Sequence, residues 1–573
     1  MKPNEKYTVL SIKYGGHDTS AAIMIDDKLI AACEQERYTL DKHSRLFPID
    51  AIKDCLNIAS CTIDEVDELA FVNDLKYYIQ EYYLKPAIKD DSRVEFLIND
   101  IENIKKQYYM EETIRSKTGF KGPITYHFHH LCHLASSYYP SGFKDAILAS
   151  YDGSGEIETS MLGIGRDGQI EIVHRHNYYP HSLGLLYSAI TYYLGWKHHC
   201  DEGIVMGLAS YGNPHSKIRG RNISYYEVFK EILQETGSYD FIVDQSWMKY
   251  YEVRDTWISE KFTKIFGPKR AYDDPIMDHH KNIAAALQLR LETVVLNQLR
   301  KARDEFGLSN LCIAGGVALN CSMNGKILSS GIFEQVFVQP AASDAGTPIG
   351  ACYLAQKLKG NVSLPKKMHN FYTGSRFIES EIFDSIKNAD YPFEKSQDLY
   401  TEVARLLKGN KIVGWFQGEA EFGPRALGNR SILCSPYPEK MKDYINQQVK
   451  FRESFRPFAP AVLYEYANKY FDIDSESPHM LIATQVAKGK REVLPAVVHV
   501  DGTCRVQTVR SENNIRFYKL LTAFMEETGI PVLLNTSFNV KGQPIVNTPD
   551  QAIKCFLSTR IDCLVLGDYI LRK

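Results

Sequence analysis

VLSIKYGGHDTSAAIMIDDKLIAA, residues 9 to 32, has the same design as ILASYDGSGEIETSMLGIGRDGQIEIV, residues 147 to 173. Each stretch contains an apolar segment, a tyrosine followed by a glycine-rich turn, a Thr-Ser pair, and two further apolar segments separated by a short turn. Short apolar segments separated by glycine turns are typical of β-strands. The sequence therefore predicts that one three-stranded unit occurs twice in this chain.

A third segment extends this pattern towards a nucleotide-binding fold. NLCIAGGVALNCSMNGKIL, residues 310 to 328, follows a helical pattern from Ile283 to Phe306 that ends at Gly307. Gly315 and Gly316 would let the backbone approach a nucleotide or its phosphates, although by themselves they favour a tight strand-to-helix turn. Two three-stranded units that face each other across a nucleotide are typical of the actin-like ATPase fold.

The composition indicates a chain of more than one domain, and its charge favours a small-molecule partner. The chain has 573 residues, 44% hydrophobic and 24% charged, which is enough for two or three domains. Its net charge is -3, and no block of like charges is long enough to bind nucleic acid or a membrane. No apolar run has the length of a signal peptide or membrane span, so a cytoplasmic location is expected. The 12 cysteines include no C-x-x-C pair, which favours reduced, packed thiols over disulfides or a thiolate zinc site.

Four histidines lie close together in HFHHLCHLASSYYPSG, residues 127 to 142. If this stretch is helical, His129 and His133 lie on one face and can share a metal ion; capping, packing and surface positions are the alternatives. Asp152 and Asp344 each follow a predicted strand, where α/β folds gather ligands. Two imidazoles and two carboxylates suit Fe(II), Mn(II) or Zn(II) without distinguishing among them. His130 points away from His129 on the helix, which favours a packing role.

The order of four motifs indicates a family resemblance. HHLCHLASSYYPSG, YDGSGE, GGVALN and SDAGTPIGA resemble the Kae1-like domain of the NodU/CmcH/TobZ O-carbamoyltransferases, and HDTSAAIMIDDKLIAACEQERYTLDKH near the N-terminus matches as well. These enzymes are related to the threonylcarbamoyl-tRNA transferase and to the hydrogenase maturation carbamoyltransferase. The resemblance implies a metal site formed by His129, His133, Asp152 and Asp344, with Fe2+ as the usual ion and another divalent metal as the alternative.

The same resemblance implies a transfer site and a nucleotide site in this domain. His17, in the first glycine turn, matches a position that the family places at the transfer site. The implied nucleotide-binding residues are Gly153, Gly315, Gly316 and Asn320. One position departs from the family, because relatives commonly have a lysine where DEGIVMGLASYG has Ile204. Any acceptor contact that this lysine makes in relatives is absent here.

Arginine-containing turns and apolar strands dominate the last third of the chain. The polar segment LKGNVSLPKKMHN, residues 358 to 370, predicts a linker. Beyond it, Arg425, Arg430 and Arg456 adjoin apolar residues. Any one of them alone is better explained as a solvated surface residue, but together they favour phosphate contacts, because an unpaired guanidinium is costly beside apolar side chains. EFGPRALGNRSI, FRPFAP and LLNTSFN resemble the YrdC-like domain of the same carbamoyltransferases.

This second resemblance implies a site that binds carbamoyl phosphate and ATP. The implied binding residues are Arg425, Lys450, Arg456, Arg505, Asn535 and Ser537. Lys42, in the N-terminal YTLDKH motif, matches a lysine that contributes to activation. The predicted catalytic residues are His17, Lys42, Lys450 and Arg456.

The resulting prediction is an α/β enzyme with an actin-like (ASKHA, Kae1-like) duplicated domain at 1–362 and a YrdC-like α/β domain at 363–573. It is expected to convert carbamoyl phosphate and ATP, with Mg2+, to carbamoyladenylate and to transfer the carbamoyl group to a hydroxyl of a small-molecule natural product. A small-molecule kinase, a threonylcarbamoyl-type tRNA transferase and an ATP-gated chaperone are the alternatives. No nucleic-acid or membrane partner is expected. The acceptor and the oligomeric state, a homodimer included, stay open.

Overall fold

The computed structural model describes residues 6–175, 177–237, 239–251, 253, 256–362 and 364–573. They separate into two units. Unit 1 comprises the described residues of Met1–Ile30 and Arg45–Lys367, and unit 2 comprises Ala31–Ser44 and those of Met368–Lys573. The division at 362/363 that the sequence predicts differs in two respects: the observed boundary lies at Lys367/Met368, and the prediction assigns Ala31–Ser44 to the first domain.

Buried hydrogen bonds to Gly423 connect this segment to the rest of unit 2. It contains the short helix α1 (Glu36–Thr39), in which Arg37 is only 5% exposed. The guanidinium of Arg37 pairs with Glu34 at 2.7 Å and donates to the carbonyl of Gly423. A contact between residues 386 positions apart leaves no local pattern in the sequence, which is why the linker signal alone predicts a simpler boundary.

Unit 1 contains two sheets of the same topology. The strands of the first half are β1 (Thr8–Lys13), β2 (Ser20–Ile25), β3 (Lys28–Glu34), β4 (Glu68–Val72) and β5 (Ile124–His127). The strands of the second half are β6 (Asp145–Tyr151), β7 (Ser160–Arg166), β8 (Gln169–His174), β9 (Leu233–Thr236), β10 (Asp240–Val243), β11 (Asn310–Ala314) and β12 (Gln335–Val338). The first sheet has the order β3-β2-β1-β4-β5 and the second has β8-β7-β6-β11-β12. β9 and β10 form a separate antiparallel hairpin.

The strand directions agree as well as the order. β1 is antiparallel to β2 and parallel to β4, and β6 is antiparallel to β7 and parallel to β11. Each half therefore has an antiparallel three-stranded unit extended by parallel strands that follow helical connections. This duplication confirms the actin-like fold that the repeated sequence pattern predicts for the first part of the chain.

Helices cover the two sheets of unit 1. They are α2 (Ile49–Ile58), α3 (Leu75–Tyr78), α4 (Lys85–Lys89), α5 (Ser92–Asn99), α6 (Ile101–Tyr108), α7 (Met110–Thr118), α8 (His129–Ser141), α9 (Leu183–Tyr193), α10 (Glu202–Ala209), α11 (Tyr225–Ile232), α12 (Glu260–Phe266), α13 (Asp278–Phe306), α14 (Cys321–Ser329) and α15 (Thr347–Leu358). A π-helical segment spans Ile79–Leu84, and 3-10 turns span Ile63–Glu65, Gly316–Leu319 and Asp344–Gly346. α13 includes the predicted helix and ends at Gly307, whose φ of 69° is the left-handed conformation that a glycine C-cap adopts without strain.

Helices α8 and α15 pack together at a glycine. A Cβ atom on Gly350 of α15 would lie 1.9 Å from the carbonyl oxygen of Cys132 in α8, so only glycine permits this approach. Cys132 is fully buried and free, which agrees with the packed thiol that the composition predicts. The close approach fixes the helix that carries His129 and His133.

Replacing Gly350 with alanine is expected to destabilise the protein. The added methyl group must displace a buried backbone carbonyl, and overpacking of this kind costs about 1–3 kcal/mol. Gly203→Ala in α10 is the matched control, because a Cβ there meets no atom within 4 Å. At that exposed position the same substitution is expected to be neutral or to stabilise by roughly 0.5–1 kcal/mol. Urea unfolding followed by circular dichroism compares the two, and equal stabilities of the variants would contradict the packing argument.

Unit 2 is an α/β unit built on one mixed sheet, as the sequence predicts. Its strands are β13 (Phe393–Lys395), β14 (Val413–Phe416), β15 (Arg430–Cys434), β16 (Ala459–Leu463), β17 (Ala483–Gln485), β18 (Thr503–Arg505), β19 (Gln507–Val509), β20 (Val532–Ser537), β21 (Cys563–Leu566) and β22 (Tyr569–Arg572). The large sheet has the order β13-β22-β21-β14-β15-β20-β16-β19, and β17 pairs with β18.

The helices of unit 2 enclose its core against this sheet. They are α16 (Glu379–Asn388), α17 (Leu399–Lys408), α18 (Met441–Ile445), α19 (Ala467–Tyr470), α20 (Ile515–Thr528) and α21 (Pro549–Ser558). A π-helical segment spans Asn446–Lys450, and 3-10 turns span Tyr464–Tyr466 and Pro495–Val497. Leu407, Trp415 and Phe524 are among the fully buried core residues. Across the described residues of both units, no helix is long and apolar enough to cross a membrane.

Candidate functional sites

The four predicted metal ligands come together in unit 1. His129 begins α8, His133 lies one turn later, Asp152 follows β6, and Asp344 opens a 3-10 turn after β12. All four are buried, and the exposed fraction of each residue is 7% or less. One ligand atom of each residue lies within 4.8 Å of the ligand atoms of the other three. The spacing in the sequence and the strand-end positions of the two aspartates thus converge on one cluster.

The distances within this cluster fit a divalent cation. Nε2 of His129 lies 3.0 Å from Nε2 of His133, and Oδ2 of Asp152 lies 3.1 Å and 3.0 Å from the two nitrogens. Oδ1 of Asp344 is 3.3 Å from His129 Nε2 and 4.0 Å from His133 Nε2. Ligand atoms bound to one ion at about 2.0–2.2 Å must lie at such mutual separations. Two buried carboxylates beside facing imidazole nitrogens also need a positive charge between them.

The pKa values in the cluster reflect the same concentration of charge. Burial lowers the pKa of His129, but the carboxylates of Asp344 and Asp152 outweigh burial and raise it to about 9. Burial and the charge of Asp344 raise the pKa of Asp152, but hydrogen bonds with His129 and His133 outweigh them and lower it. The anionic carboxylates are therefore held in the form that binds a metal.

A carboxylate that the sequence argument does not single out fixes the start of α8. Glu156 is 1% exposed, and its Oε1 and Oε2 accept hydrogen bonds from the backbone N–H of His129 at 3.1 Å and 3.2 Å. Its Oε1 also accepts from the N–H of Asp74 at 2.8 Å. Gly155 beside it is tightly packed, since an added Cβ would lie 3.0 Å from the His129 Cβ. Glu156 therefore holds the backbone from which the first ligand projects.

The other two histidines of the motif have structural roles. His130 is 1% exposed, with Nδ1 2.7 Å from Ser150 Oγ and Nε2 2.9 Å from the carbonyl of Glu158. This confirms the packing role that its helical phase predicts. His127 lies 3.2 Å from Thr125 Oγ1, and burial lowers its pKa to about 4.

Two glycine turns of the second half, one after β6 and one after β11, meet at Asp152. Its Oδ1 accepts hydrogen bonds from the N–H of Gly153 at 2.8 Å and of Gly316 at 3.1 Å, while its Oδ2 faces the histidines. A Cβ on Gly315, whose φ is 88°, would lie 2.2 Å from the carbonyl oxygen of Tyr151. The glycines are therefore required for the close contact of the two turns, and their predicted contacts with a nucleotide stay a prediction.

Asn320 has a structural function that the sequence argument does not foresee. Its Oδ1 accepts from the N–H of Met323 and caps α14, and its side-chain amide exchanges hydrogen bonds of 2.9 Å and 3.0 Å with Gln288. The predicted nucleotide contact of Asn320 is untested by this geometry. The capping role explains why asparagine is suited to the position in any case.

His17 lies in the first glycine turn next to a second histidine. Its Nδ1 is 3.3 Å from Oδ2 of Asp18, and its ring centroid is 5.6 Å from that of His199. His199 has a φ of 56°, and its N–H donates to Glu202 Oε1 at 2.6 Å, so Glu202 holds this uncommon backbone conformation. Burial, with the charges of His17 and His198, lowers the pKa of His199 to about 3. Ile204 is 3% exposed within the intact α10.

Unit 2 contains a cluster of cations around Lys450. This lysine is 3% exposed, and its ammonium donates to the carbonyl of Ser537, to Ser537 Oγ at 3.2 Å and to Asn539 Oδ1 at 2.8 Å. Burial, together with Arg452 and Arg456, holds the pKa of Lys450 well below its usual value. Placing several cations together in this way is costly unless an anion binds among them.

Arginines extend this cluster. Burial and the charges of Arg456 and Arg505 hold the pKa of Arg452 well below its usual value, so the three guanidinium groups are neighbours. Nε of Arg505 is buried and has no hydrogen-bond partner among the described residues. Glu453 contributes a carboxylate 3.6 Å from Arg456 and 3.1 Å from Lys541. Positive charge remains in excess, and Arg452 is the member that the sequence argument does not identify.

Arg430 is not part of this cluster. It is fully buried, and its guanidinium donates to the carbonyls of Gln417, Gly418 and Ser375. The prediction that Arg430 contacts phosphates is therefore wrong, because backbone carbonyls take its hydrogen bonds. The apolar neighbours of Arg430 indicate a guanidinium that needs partners, and backbone carbonyls inside the protein provide them.

Arg425 lies in a turn that Glu421 organises. Oε1 of Glu421 accepts hydrogen bonds from the N–H groups of Leu427, Asn429 and Arg430 at 2.8 to 2.9 Å. The carboxylate thereby fixes the backbone that follows Arg425.

Asn535 and Lys42, two further predicted residues of unit 2, have contacts and positions of their own. Asn535 is 1% exposed, and its amide donates to the carbonyl of Ala426 and to Gln507 Oε1. Lys42 lies in a partly exposed turn of the segment that joins unit 2. Their predicted contacts with carbamoyl phosphate and ATP stay predictions.

Comparison with known protein families gives one result for both parts of the chain. Residues 8–353 match the model of the carbamoyltransferase N-terminus, and residues 404–573 match that of the carbamoyltransferase C-terminus. The chain belongs to the carbamoyltransferase family. The carbamoyltransferase assignment confirms the resemblance predicted from the motifs, and the chain is a transferase enzyme.

Individual relatives agree with this assignment. This carbamoyltransferase is 35% identical to nodulation protein NolNO of Sinorhizobium fredii, over 97% of this chain and 79% of the relative. It is 35% identical to the 3'-hydroxymethylcephem-O-carbamoyltransferase of Amycolatopsis lactamdurans, over 53% of this chain and 57% of the relative. Among solved structures, HypF of T. kodakarensis is 12% identical with a TM-score of 0.32, over 63% of this chain and 49% of that chain. At that value the structural similarity carries no inference about this carbamoyltransferase.

Proposed function

We propose that this carbamoyltransferase uses ATP and carbamoyl phosphate to form carbamoyladenylate and transfers the carbamoyl group to a hydroxyl of a small-molecule natural product. The buried cluster of two histidines and two aspartates is the observation that carries the proposal. A protein with only a kinase function has no evident need for this cluster or for the separate cation cluster of unit 2. The activity named for the Amycolatopsis relative, 3'-hydroxymethylcephem O-carbamoylation, supports a hydroxyl group as the acceptor.

The activation step is assigned to unit 2. Water first converts carbamoyl phosphate to carbamate and phosphate, and a carbamate oxygen then attacks the α-phosphorus of ATP and expels pyrophosphate, which leaves carbamoyladenylate. Lys450, Arg456 and Arg505 bind the anionic oxygens, and Arg452 adds charge beside them. Because these cations are preorganised, they stabilise the crowded negative charge without reorganising during the reaction. Mg2+ accompanies ATP, and Lys42 and Arg425 are further proposed contacts.

The transfer step is assigned to unit 1. His129, His133, Asp152 and Asp344 would hold a divalent ion, with Fe2+ as the proposed ion, and the bound ion would supply Lewis-acid polarisation of a carbonyl. His17 takes the proton of the acceptor hydroxyl at Nε2, because its Nδ1 faces the Asp18 carboxylate. Gly153, Gly315 and Gly316, beside the cluster, are the proposed contacts of the nucleotide part of the adenylate. AMP then leaves, and the carbamoyl carbon is bonded to the acceptor oxygen.

Release of pyrophosphate and AMP tests the proposal. In the absence of an acceptor, ATP is expected to yield pyrophosphate only when carbamoyl phosphate is present, because the adenylate cannot form without it. AMP appears as the adenylate hydrolyses. Coupled assays for pyrophosphate, AMP and ADP, each with and without carbamoyl phosphate, make the measurement. Formation of ADP independently of carbamoyl phosphate would contradict the proposal and would favour a kinase or a chaperone.

A further inference from the structure

A lysine that none of the preceding assignments uses lies beside the metal-ligand cluster. Lys13 ends β1 and is 5% exposed. Its ammonium is 3.2 Å from Asp344 Oδ2, 2.9 Å from Asn73 Oδ1 and 3.4 Å from His129 Nδ1. Two of the four ligands of the cluster therefore contact the same cation. A buried ammonium with these partners is part of the site and not a solvated surface group.

The surrounding backbone fixes Lys13 in this position. Asn73, its hydrogen-bond acceptor, has a φ of 105°, which non-glycine residues adopt rarely. The N–H of Asn73 donates to the carbonyl of His127 at 2.9 Å, so this conformation is tied to the strand that leads into α8. The amide of Asn73 also lies 3.5 Å from Oε1 of Glu156, the residue that holds the His129 backbone. Lys13 is thus connected to the cluster through the elements that position the ligands.

Lys13 gives the two oxygens of Asp344 different partners. Oδ2 pairs with the ammonium, while Oδ1 faces His129 Nε2 at 3.3 Å. Asp152 is divided in a similar way, since its Oδ1 accepts from the glycine N–H groups and its Oδ2 faces the histidines. Each carboxylate therefore offers one oxygen to an ion, and the set provides two nitrogens and two oxygens. Without the ammonium, nothing described here would prevent the second oxygen of Asp344 from turning towards the ion.

Lys13 also changes the charge that an ion meets. The two carboxylates carry two negative charges, and the ammonium offsets one of them, so the net charge around the ion is -1 instead of -2. An ammonium paired with a ligand repels a cation bound by that ligand, and in a buried site this repulsion is weakly screened. The nearby Nδ1 of His129 adds to the effect, because it must carry the proton when Nε2 binds the ion and then faces the ammonium with its N–H.

We propose that Lys13 is a positioning residue of the metal centre that restricts Asp344 to coordination through one oxygen and weakens the binding of a divalent cation. The inference rests on the metal site of the proposed function. It concerns a residue outside the ligand set, and its consequences are measured on the binding of the metal alone.

Titration of metal-free protein with Co2+ tests this inference through binding constants and the visible absorption of the bound ion. The Lys13→Met variant is expected to bind one Co2+ about tenfold or more tightly than the unmodified protein, because a like charge has been removed from a buried site. Its absorption bands are expected to weaken as the second oxygen of Asp344 raises the coordination number. Lys144→Met is the matched control, since Lys144 pairs with Asp167 at the surface, where both side chains are about 70% exposed. That variant is expected to match the unmodified protein in both measurements.

Each outcome has a distinct meaning. If the unmodified protein binds no Co2+, the proposed metal site is wrong. If it binds Co2+ and Lys13→Met binds equally or more weakly, the metal site stands and the role of Lys13 is wrong. Tighter binding with unchanged absorption would overturn the restriction on Asp344 alone.

A second variant covers the case in which Lys13→Met does not fold. Lys13→Gln retains a hydrogen-bond donor for Asp344 and lacks the charge. It is expected to bind Co2+ more tightly with unchanged absorption, and equal affinity would overturn the electrostatic part of the proposal.

Discussion

His129→Ala is expected to abolish carbamoyl transfer while carbamoyladenylate formation continues. The substitution removes a fully buried imidazole whose Nε2 lies about equally far from the other ligand atoms, 3.0 Å from His133 and 3.1 Å from Asp152. Removing a group that only supports a metal ligand commonly lowers metal affinity or activity by about 10- to 100-fold, so removing a ligand itself is expected to cost more. The cation cluster of unit 2 retains all its residues, so pyrophosphate release that depends on carbamoyl phosphate should persist.

Three measurements separate the steps in this variant. Bound metal is quantified by elemental analysis, pyrophosphate release reports activation, and the carbamoylated acceptor reports transfer. His215→Ala serves as the control, because the ring of this exposed loop histidine lies 5.4 Å from that of Tyr226 and outside the cluster. Loss of activation together with transfer in a folded His129→Ala protein would show that the two steps are not divided as proposed.

Arg456→Ala is expected to have the opposite effect. Arg456 contributes to the concentrated positive charge that lowers the pKa of Lys450 and Arg452, so it is near both cations. Removing one preorganised cation or donor from a site that stabilises developing negative charge costs about 10²–10³-fold in rate. Pyrophosphate release should fall by that factor, whereas the transfer of a carbamoyl group from synthetic carbamoyladenylate should be retained.

The control for this variant is an arginine at the surface of unit 2, away from the cation cluster. The side chain of Arg405 is 69% exposed and pairs with Glu527 at 2.9 Å on the surface of unit 2, so Arg405→Ala should leave both steps unchanged. Failure of Arg456→Ala to use synthetic carbamoyladenylate would remove the basis for assigning Arg456 to activation alone.

The features that sequence reasoning predicts well are those with a local pattern. The two glycine-turn units predict the duplicated sheets, because turn residues and apolar strands recur in the same order. His129 and His133 are four positions apart on one helix, and Asp152 and Asp344 follow strands of the same sheet, so regular geometry brings all four together. The motifs of the second part likewise predict an α/β unit.

The features that it misses depend on contacts between distant parts of the chain. Lys13 and His129 are 116 positions apart, and a lysine at the end of a strand has the ordinary pattern of a surface residue. Arg430 and Arg456 have similar apolar contexts, yet backbone carbonyls satisfy Arg430 whereas Arg456 neighbours other cations. Sequence context predicts that such a guanidinium needs partners, but the partner itself is determined by the tertiary fold.

The divided carboxylate of Asp152 links two binding events thermodynamically. One oxygen fixes the backbone of the two glycine turns, and the other faces the ion-binding histidines. An ion that orders this side chain also orders the turns, and a ligand that orders the turns prepares the ion-binding geometry. If the ion raises the affinity for such a ligand by some factor, the ligand raises the affinity for the ion by the same factor. The binding of the proposed cation and of the proposed nucleotide is therefore expected to be cooperative through this one aspartate.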